Sequence, residues 1–240
     1  MKKTYSLFVI LVAVICLGSL SSCRFSCING SGHRASENRK VADFTRIDIS
    51  DIFKVTLKQD SSLAVNITAD DNLLKYIKSS VSGGRLRIYT KKNFCNSGEL
   101  LITIGVRNLE EIKASGAVDV ASDGKINTRD LNLKLSGVSK INLDLNAANV
   151  RSEVSGVTEL YLKGQASSHD VDLSGSGKIS ALDFVVGNYN IQTSGVGDCA
   201  INVLQSLSVN SKGASHIKYR GNPSSVSNHK TGVSSIEKIN

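Results

Sequence analysis

The dipeptide Ser-Gly, or a close variant, returns seven times in the second half of this 240-residue chain, and its spacing hardly varies. The copies are Ser115-Gly116-Ala117, Ser136-Gly137-Val138, Ser155-Gly156-Val157, Ser174-Gly175-Ser176, Ser194-Gly195-Val196, Lys212-Gly213-Ala214 and Thr231-Gly232-Val233. Successive glycines lie 21, 19, 19, 20, 18 and 19 residues apart. A fixed period of this length marks a repeat architecture, in which no unit buries its own apolar face and stability comes from stacking. Four places after each Gly stand Val120, Ile141, Leu160, Ile179, Cys199, Ile217 and Ile236, all of types that are readily buried. Two places before it the column runs Ala114, Leu135, Val154, Leu173, Thr193, Ser211 and Lys230. It turns polar toward the C-terminus, as a terminal capping repeat would.

A period near 19 residues suits one coil of a parallel β-solenoid, two or three short strands with their corners. The expected fold is therefore all-β, a parallel β-helix. The Gly would occupy a corner or bulge that needs positive φ or close backbone approach. Coils rise by roughly 4.8 Å, so seven would build a rod on the order of 30 Å long. Three places after each Gly the column reads Asp119, Lys140, Glu159, Lys178, Asp198, His216 and Ser235. Charges alternate along it, which predicts an outward ladder of opposite neighbours that favours the correct register. Scarce aromatics, no Trp, one Pro and 20 Gly suit many strands with tight corners better than helices.

Upstream, the stretches 44–49, 53–57, 63–67 and 86–89 alternate as half-buried strands. Residues 70–78 suit one helical turn, with Asp70 or Asp71 capping and Leu73, Leu74 and Ile77 facing inward. The head domain is placed at 41–240, with irregular strands over 41–110 and the seven repeats over 111–240. Residues 23–40 are polar and Gly/Ser-containing, and read as a flexible tether.

Residues 1–22 read as an export signal: Lys2 and Lys3, an apolar run from Leu7 to Leu17, then small residues. Leu20-Ser21-Ser22-Cys23 matches a bacterial lipobox, which makes Cys23 the lipidated residue and the membrane a partner. Loss of the signal lowers the formal charge from +8 to +6, spread without a basic stripe. That argues against nucleic acid and leaves room for weak attraction to anionic glycans or headgroups. Cys27, Cys95 and Cys199 then remain; a Cys27–Cys95 disulfide is open, and no CxxC or His cluster suggests zinc.

With repeat and lipobox in place, the chain resembles the putative auto-transporter adhesin family with a head GIN domain. The likeness covers roughly Val41 to Asn240. It rests on Phe44-Thr45-Arg46-Ile47, Asp71-Asn72-Leu73-Leu74, Gly84-Arg85-Leu86-Arg87-Ile88, the Ser-Gly-Ala and Ser-Gly-Val units, and Ile217-Lys218-Tyr219-Arg220-Gly221-Asn222-Pro223. It implies an exported β-helical protein and brings no catalytic or binding residues with it.

Motif searches find no H-E-x-x-H, G-x-S-x-G or Walker sequence. Gly195-Val196-Gly197-Asp198-Cys199-Ala200 lacks the strand-to-helix setting of a dinucleotide site. Cys199 sits in the inward column and reads as core filler; His169, His216 and His229 are scattered. Tyr89 and Tyr161, on outward positions, are the weak candidates for ligand contact. The expectation is a non-enzymatic outer membrane lipoprotein without cofactor or metal, acting as an adhesin-like binder of glycan or envelope protein. The alternative is a structural envelope component that associates end to end through solenoid edges; a carbohydrate-active enzyme is the third reading. Acidic residues after Cys23 are absent, which leaves the membrane face open between periplasm and cell surface.

Overall fold

The computed structural model describes residues 27–240. The export signal and Cys23 lie outside the described residues. In chain order the elements are β1 (Cys27–Asn29), β2 (Arg34–Lys40), β3 (Arg46–Gln59), β4 (Ala64–Asp70), helix α1 (Asp71–Leu74), β5 (Ile77–Ser82), β6 (Arg85–Thr90), β7 (Asn93–Cys95) and β8 (Leu101–Val106). The repeats follow as β9 (Glu111–Leu135), β10 (Val138–Val154), β11 (Val157–Leu173), β12 (Ser176–Thr193), β13 (Val196–Ser211), β14 (Ala214–Arg220), β15 (Ser225–Lys230) and β16 (Ser234–Lys238).

These elements form the expected parallel β-solenoid, about 6 turns with coils about 19 residues apart. Each long strand winds round its coil and pairs in parallel with the coil before and after. The register is the one set by the glycines: Val138 pairs with Ala117 and Val157, and Ser176 with Val157 and Val196. The column four places after the Gly is buried from Val120 to Ile217, and Ile236 packs half-buried at its end. Outside, side-chain amides tie coil to coil: Asn146 donates to Asn127, and Gln165 to Asn146, each at 3.0 Å.

Close approach, more than backbone conformation, explains the glycines. A Cβ at Gly137, Gly156, Gly175, Gly195, Gly213 or Gly232 would meet the carbonyl oxygen of the preceding Gly in the column well inside 3.0 Å. Only Gly116 and Gly137 of the seven also have positive φ, at 101° and 87°. The same carbonyls are in use: Val157 N donates to Gly137 O at 2.8 Å, Ser176 N to Gly156 O at 2.9 Å and Val196 N to Gly175 O at 3.0 Å. The corner is thus a continuous backbone ladder with no space for a side chain on its inner side.

The upstream part departs from expectation in three ways. First, the division at 110/111 does not coincide with the start of stacking. Strand β3 pairs in parallel with β9 from Arg46↔Glu111 to Lys58↔Asp123, so the first coil begins in the stretch expected to be irregular. Asp51 takes the place of the Gly there, opposite Gly116, at φ 85°. Strand β6 ends beside it, and the Asp51 carboxylate accepts hydrogen bonds from Thr90 N at 2.7 Å and Thr90 Oγ1 at 3.1 Å. A side chain is tolerated because no earlier corner lies against it. Second, residues 27–40 are not a flexible tether. Strand β1 pairs with β7, Cys27 forms a disulfide with Cys95, and β2 runs antiparallel to β4. Its polar side chains are used: Arg34 meets Asp70 at 3.4 Å, and Arg39 donates to Ile77 O at 2.9 Å. Third, the expected helical turn forms as α1, with Leu73 and Ile77 buried, but Leu74 is only half-buried and Asp70 makes no side-chain cap. Its carboxylate turns instead to Gly32 N and Arg34.

Within the apolar core runs one polar chain across three coils. The buried His169 ring lies 2.8 Å from Ser152 Oγ and 3.2 Å from the Tyr189 hydroxyl. A neutral imidazole has one N–H and one lone pair, so one hydroxyl accepts and the other donates. Burial holds the ring neutral and lowers its pKa from 6.5 to about 3.

Two outcomes test this description. At ordinary φ and with free space, Gly→Ala would stabilise by about 0.4–1 kcal/mol. Gly175→Ala is expected instead to cost roughly 1–3 kcal/mol in urea unfolding, because the new methyl meets the Gly156 carbonyl. The unfolded chain takes up a proton on His169 below about pH 6.5 while the folded chain does not until about pH 3. Its contribution is therefore complete above that window and falls by up to about 1.4 kcal/mol per pH unit on acidification through it. His169→Gln should flatten this slope relative to wild type; equal slopes from pH 6.5 to pH 4 would contradict it.

Candidate functional site

Outward and inward positions alternate along each strand. Since the fourth residue after the Gly faces in, the first and third face out. The first-place column stacks Ile52, Ala117, Val138, Val157, Ser176, Val196 and Ala214 in register on one face, and Val233 follows one coil on, directly before the Ser215↔Ser234 pair. Its large members, Ile52, Val138, Val157, Val196 and Val233, are 57–85% exposed. Soluble surfaces carry single exposed apolar residues without consequence; here they recur at coil spacing with Ala117, Ser176 and Ala214 between them, which makes this face the candidate contact surface.

Beside this stripe runs the charged column. Lys54 pairs with Asp119 and adds one rung before the expected ladder, giving Lys54, Asp119, Lys140, Glu159, Lys178, Asp198 and His216. The expected outward, in-register placement holds. Direct contact between rungs does not: among the described residues, no two neighbours in this column close to 4.0 Å. Lys54 reaches Glu99 at 3.6 Å and His216 reaches Glu237 at 3.6 Å, while Asp119, Lys140, Lys178 and Asp198 form no ion pair among the described residues. The ladder therefore presents alternating charge to solvent with little internal pairing.

Stripe and ladder border a shallow groove of about 460 Å³ lined by Ile52, Glu99, Ala117, Val138, Lys140 and Val157, among others. Glu99 and Leu100, which precede β8, line it together with the small Ala117. Along the column Asp119 stands between Lys54 and Lys140, and Glu159 between Lys140 and Lys178; both carboxylates line the groove together with Glu99. Among the described residues, no group of three or more His, Cys, Asp or Glu could hold a metal ion.

The two tyrosines singled out from sequence lie on different surfaces. Tyr161 is half-buried at the edge of the ladder, its hydroxyl donating to Glu159 at 3.0 Å and Lys140 Nζ 5.8 Å above its ring. Donation to that carboxylate raises the phenol pKa. Tyr161 also lines a separate groove of about 360 Å³ with Asn142, Lys163 and Asp183. Tyr89 is on β6 under the Arg87 guanidinium, 4.9 Å away. Cys199 is buried in the inward column, and burial with the neighbouring Asp198 charge pushes its thiol up to about 12. Cys23 lies outside the described residues. The exposed valines were missed from sequence although each follows its marker Gly directly; the period was read, but the parity of that position was not.

The fold is shared by solved structures. A crystal structure of a putative adhesin from Bacteroides fragilis superposes with TM-score 0.84 at 26% identity, covering 88% of this chain and 100% of that one. A putative adhesin from Parabacteroides merdae gives TM-score 0.68 at 21% identity over 89% of this chain and 99% of that one. A protein from Parabacteroides distasonis described as putative lipid binding gives 0.67 at 20% identity over 90% of this chain and 100% of that one. The last two share the fold alone. No curated protein matches the chain. The family described as "Putative auto-transporter adhesin, head GIN domain" matches residues 43–223, most of the folded part, and the chain belongs to that family.

Proposed function

We propose that this protein is a lipid-anchored, non-catalytic, adhesin-like module of the bacterial envelope that binds a protein surface through the valine stripe and its charged ladder. The stripe is the observation that carries the reading. It leaves five large aliphatic side chains in solvent at consecutive or near-consecutive rungs, a cost that contact with a partner would offset. A glycan partner would call for aromatic platforms, and the stripe has none; Tyr161 stands alone at its edge. The groove's few polar groups are spread along a line, which suits an extended contact more than a small molecule. Membership of an adhesin family supports the same role. The lipobox at Cys23 supports anchoring, with the head held to a membrane by acyl chains.

Two measurements test this. Cys23→Ala is expected to abolish incorporation of labelled fatty acid and to release the protein to the soluble fraction; continued membrane retention would contradict the anchor. Beads coated with the protein should adhere to isolated envelopes, and Val138→Asp with Val157→Asp should lower adhesion at least about tenfold, since charge buried at a contact is strongly unfavourable. The melting temperature should stay unchanged, because both sites are exposed. Undiminished adhesion would move the contact elsewhere, and a glycan-array signal retained by the variant would point to a sugar site off the stripe.

A further inference from the structure

We infer that the partner of the stripe is a second copy of this chain, docked antiparallel across a two-fold axis between the Lys140 and Glu159 rungs. This deepens the binding reading above and rests on it. The fully charged rungs are six: Lys54, Asp119, Lys140, Glu159, Lys178 and Asp198, alternating in sign throughout. A two-fold axis at the centre of an even, alternating row sets every charge against its opposite. Lys54 faces Asp198 of the other copy, Asp119 faces Lys178, and Lys140 faces Glu159, each occurring twice. An isologous contact requires this self-complementarity, and an arbitrary row of charges does not have it.

The apolar stripe obeys the same symmetry in size. Its first six members are Ile52, Ala117, Val138, Val157, Ser176 and Val196. The axis places Ile52 against Val196, Val138 against Val157, and Ala117 against Ser176: large on large and small on small. A parallel arrangement offset by one rung would also oppose unlike charges. It would set Ile52 on Ala117 and Val157 on Ser176, which fills the face poorly, and it would leave an unmatched rung at each end.

Two identical solenoids also share one rung spacing, so the pairing stays in phase along its whole length, as it would not with an unrelated surface. Four of the six charges, Asp119, Lys140, Lys178 and Asp198, have no ion pair among the described residues; Lys54 would exchange an exposed contact with Glu99, and Glu159 keeps a free oxygen beside the one that accepts from Tyr161. Six rungs at roughly 4.8 Å, over two columns each about 7 Å wide, bury about 400 Å² per copy. That is below the size of a stable dimer and suits a weak, reversible contact. Antiparallel docking sends the two N-termini to opposite ends, so chains anchored near Cys23 would meet across two facing membranes, where many weak contacts act together.

The test uses the full chain. Sedimentation should show a reversible dimer with a dissociation constant in the micromolar-to-millimolar range, weakened by salt. Lys140→Glu and Glu159→Lys should each weaken it at least about tenfold, by setting like charges face to face at the axis. An equimolar mixture of these two variants should dimerise again, because each then offers what the other lacks. Orientation is read separately in the otherwise unaltered chain: Ile52→Cys combined with Val196→Cys should give a covalent dimer on mild oxidation, and Ile52→Cys combined with Ala117→Cys should not. A chain that is monomeric into the millimolar range, a mixture that fails to recover, or cross-linking by the second cysteine pair would overturn the inference. Envelope adhesion that is lost on changing the stripe, in a chain that stays monomeric, would overturn it while leaving the binding function intact.

Discussion

Everything in this structure depends on how closely one coil lies on the next at the glycine corner. The backbone of each Gly sits against the carbonyl of the Gly before it, at a separation that excludes even a methyl group. The following amide donates to that same carbonyl, so the hydrogen-bond ladder passes round the corner without a break. Coils held this way cannot slide. A slip of one residue would bring Ser or Val into the corner and turn the inward column to solvent. Register is thus set sterically at one point per coil and reinforced elsewhere by amide ladders and core packing.

Fixed register turns each position of the repeat into a column, and each column into a one-dimensional surface. A repeat therefore presents one feature again and again at a constant spacing, as the valine stripe and the alternating ladder do. The buried Ser152–His169–Tyr189 chain has chemistry-bearing side chains, but it is enclosed between coils and works as a polar strut of the core.

The repeat made most of the solenoid legible in advance. Glycine spacing predicted the coils, the fourth-place column predicted the core, and the third-place charges predicted an outward ladder. What was not legible had definite physical causes. The first coil lost its marker because Asp51 has no earlier corner to clash with, so selection for Gly is absent there and Thr90 makes use of the carboxylate. Residues 27–40 looked like a tether because β2 has no apolar face. It is ordered by backbone pairing to β4, by arginine hydrogen bonds and by a disulfide to a residue 68 positions away, none of which leaves a local pattern. The direct rung-to-rung ion pairs were overestimated because the register brings backbones to strand spacing, whereas long side chains remain free to spread in water.

That last point bears on why the charges alternate at all. If stability of the single chain were the reason, the rungs would close on one another, and exposed pairs contribute little even when they do. They stand open, next to hydrophobic side chains that are equally unpartnered. A row of unlike charges without internal pairs is neutral on average and so does not repel a second row, yet it discriminates sharply between aligned and misaligned contacts. Alternation of this kind specifies a partner more than it strengthens a fold. The stripe would supply attraction that is nearly indifferent to register, and the ladder would supply the register. The glycine corner, which forces the columns straight, is what allows the two to run side by side along the whole rod.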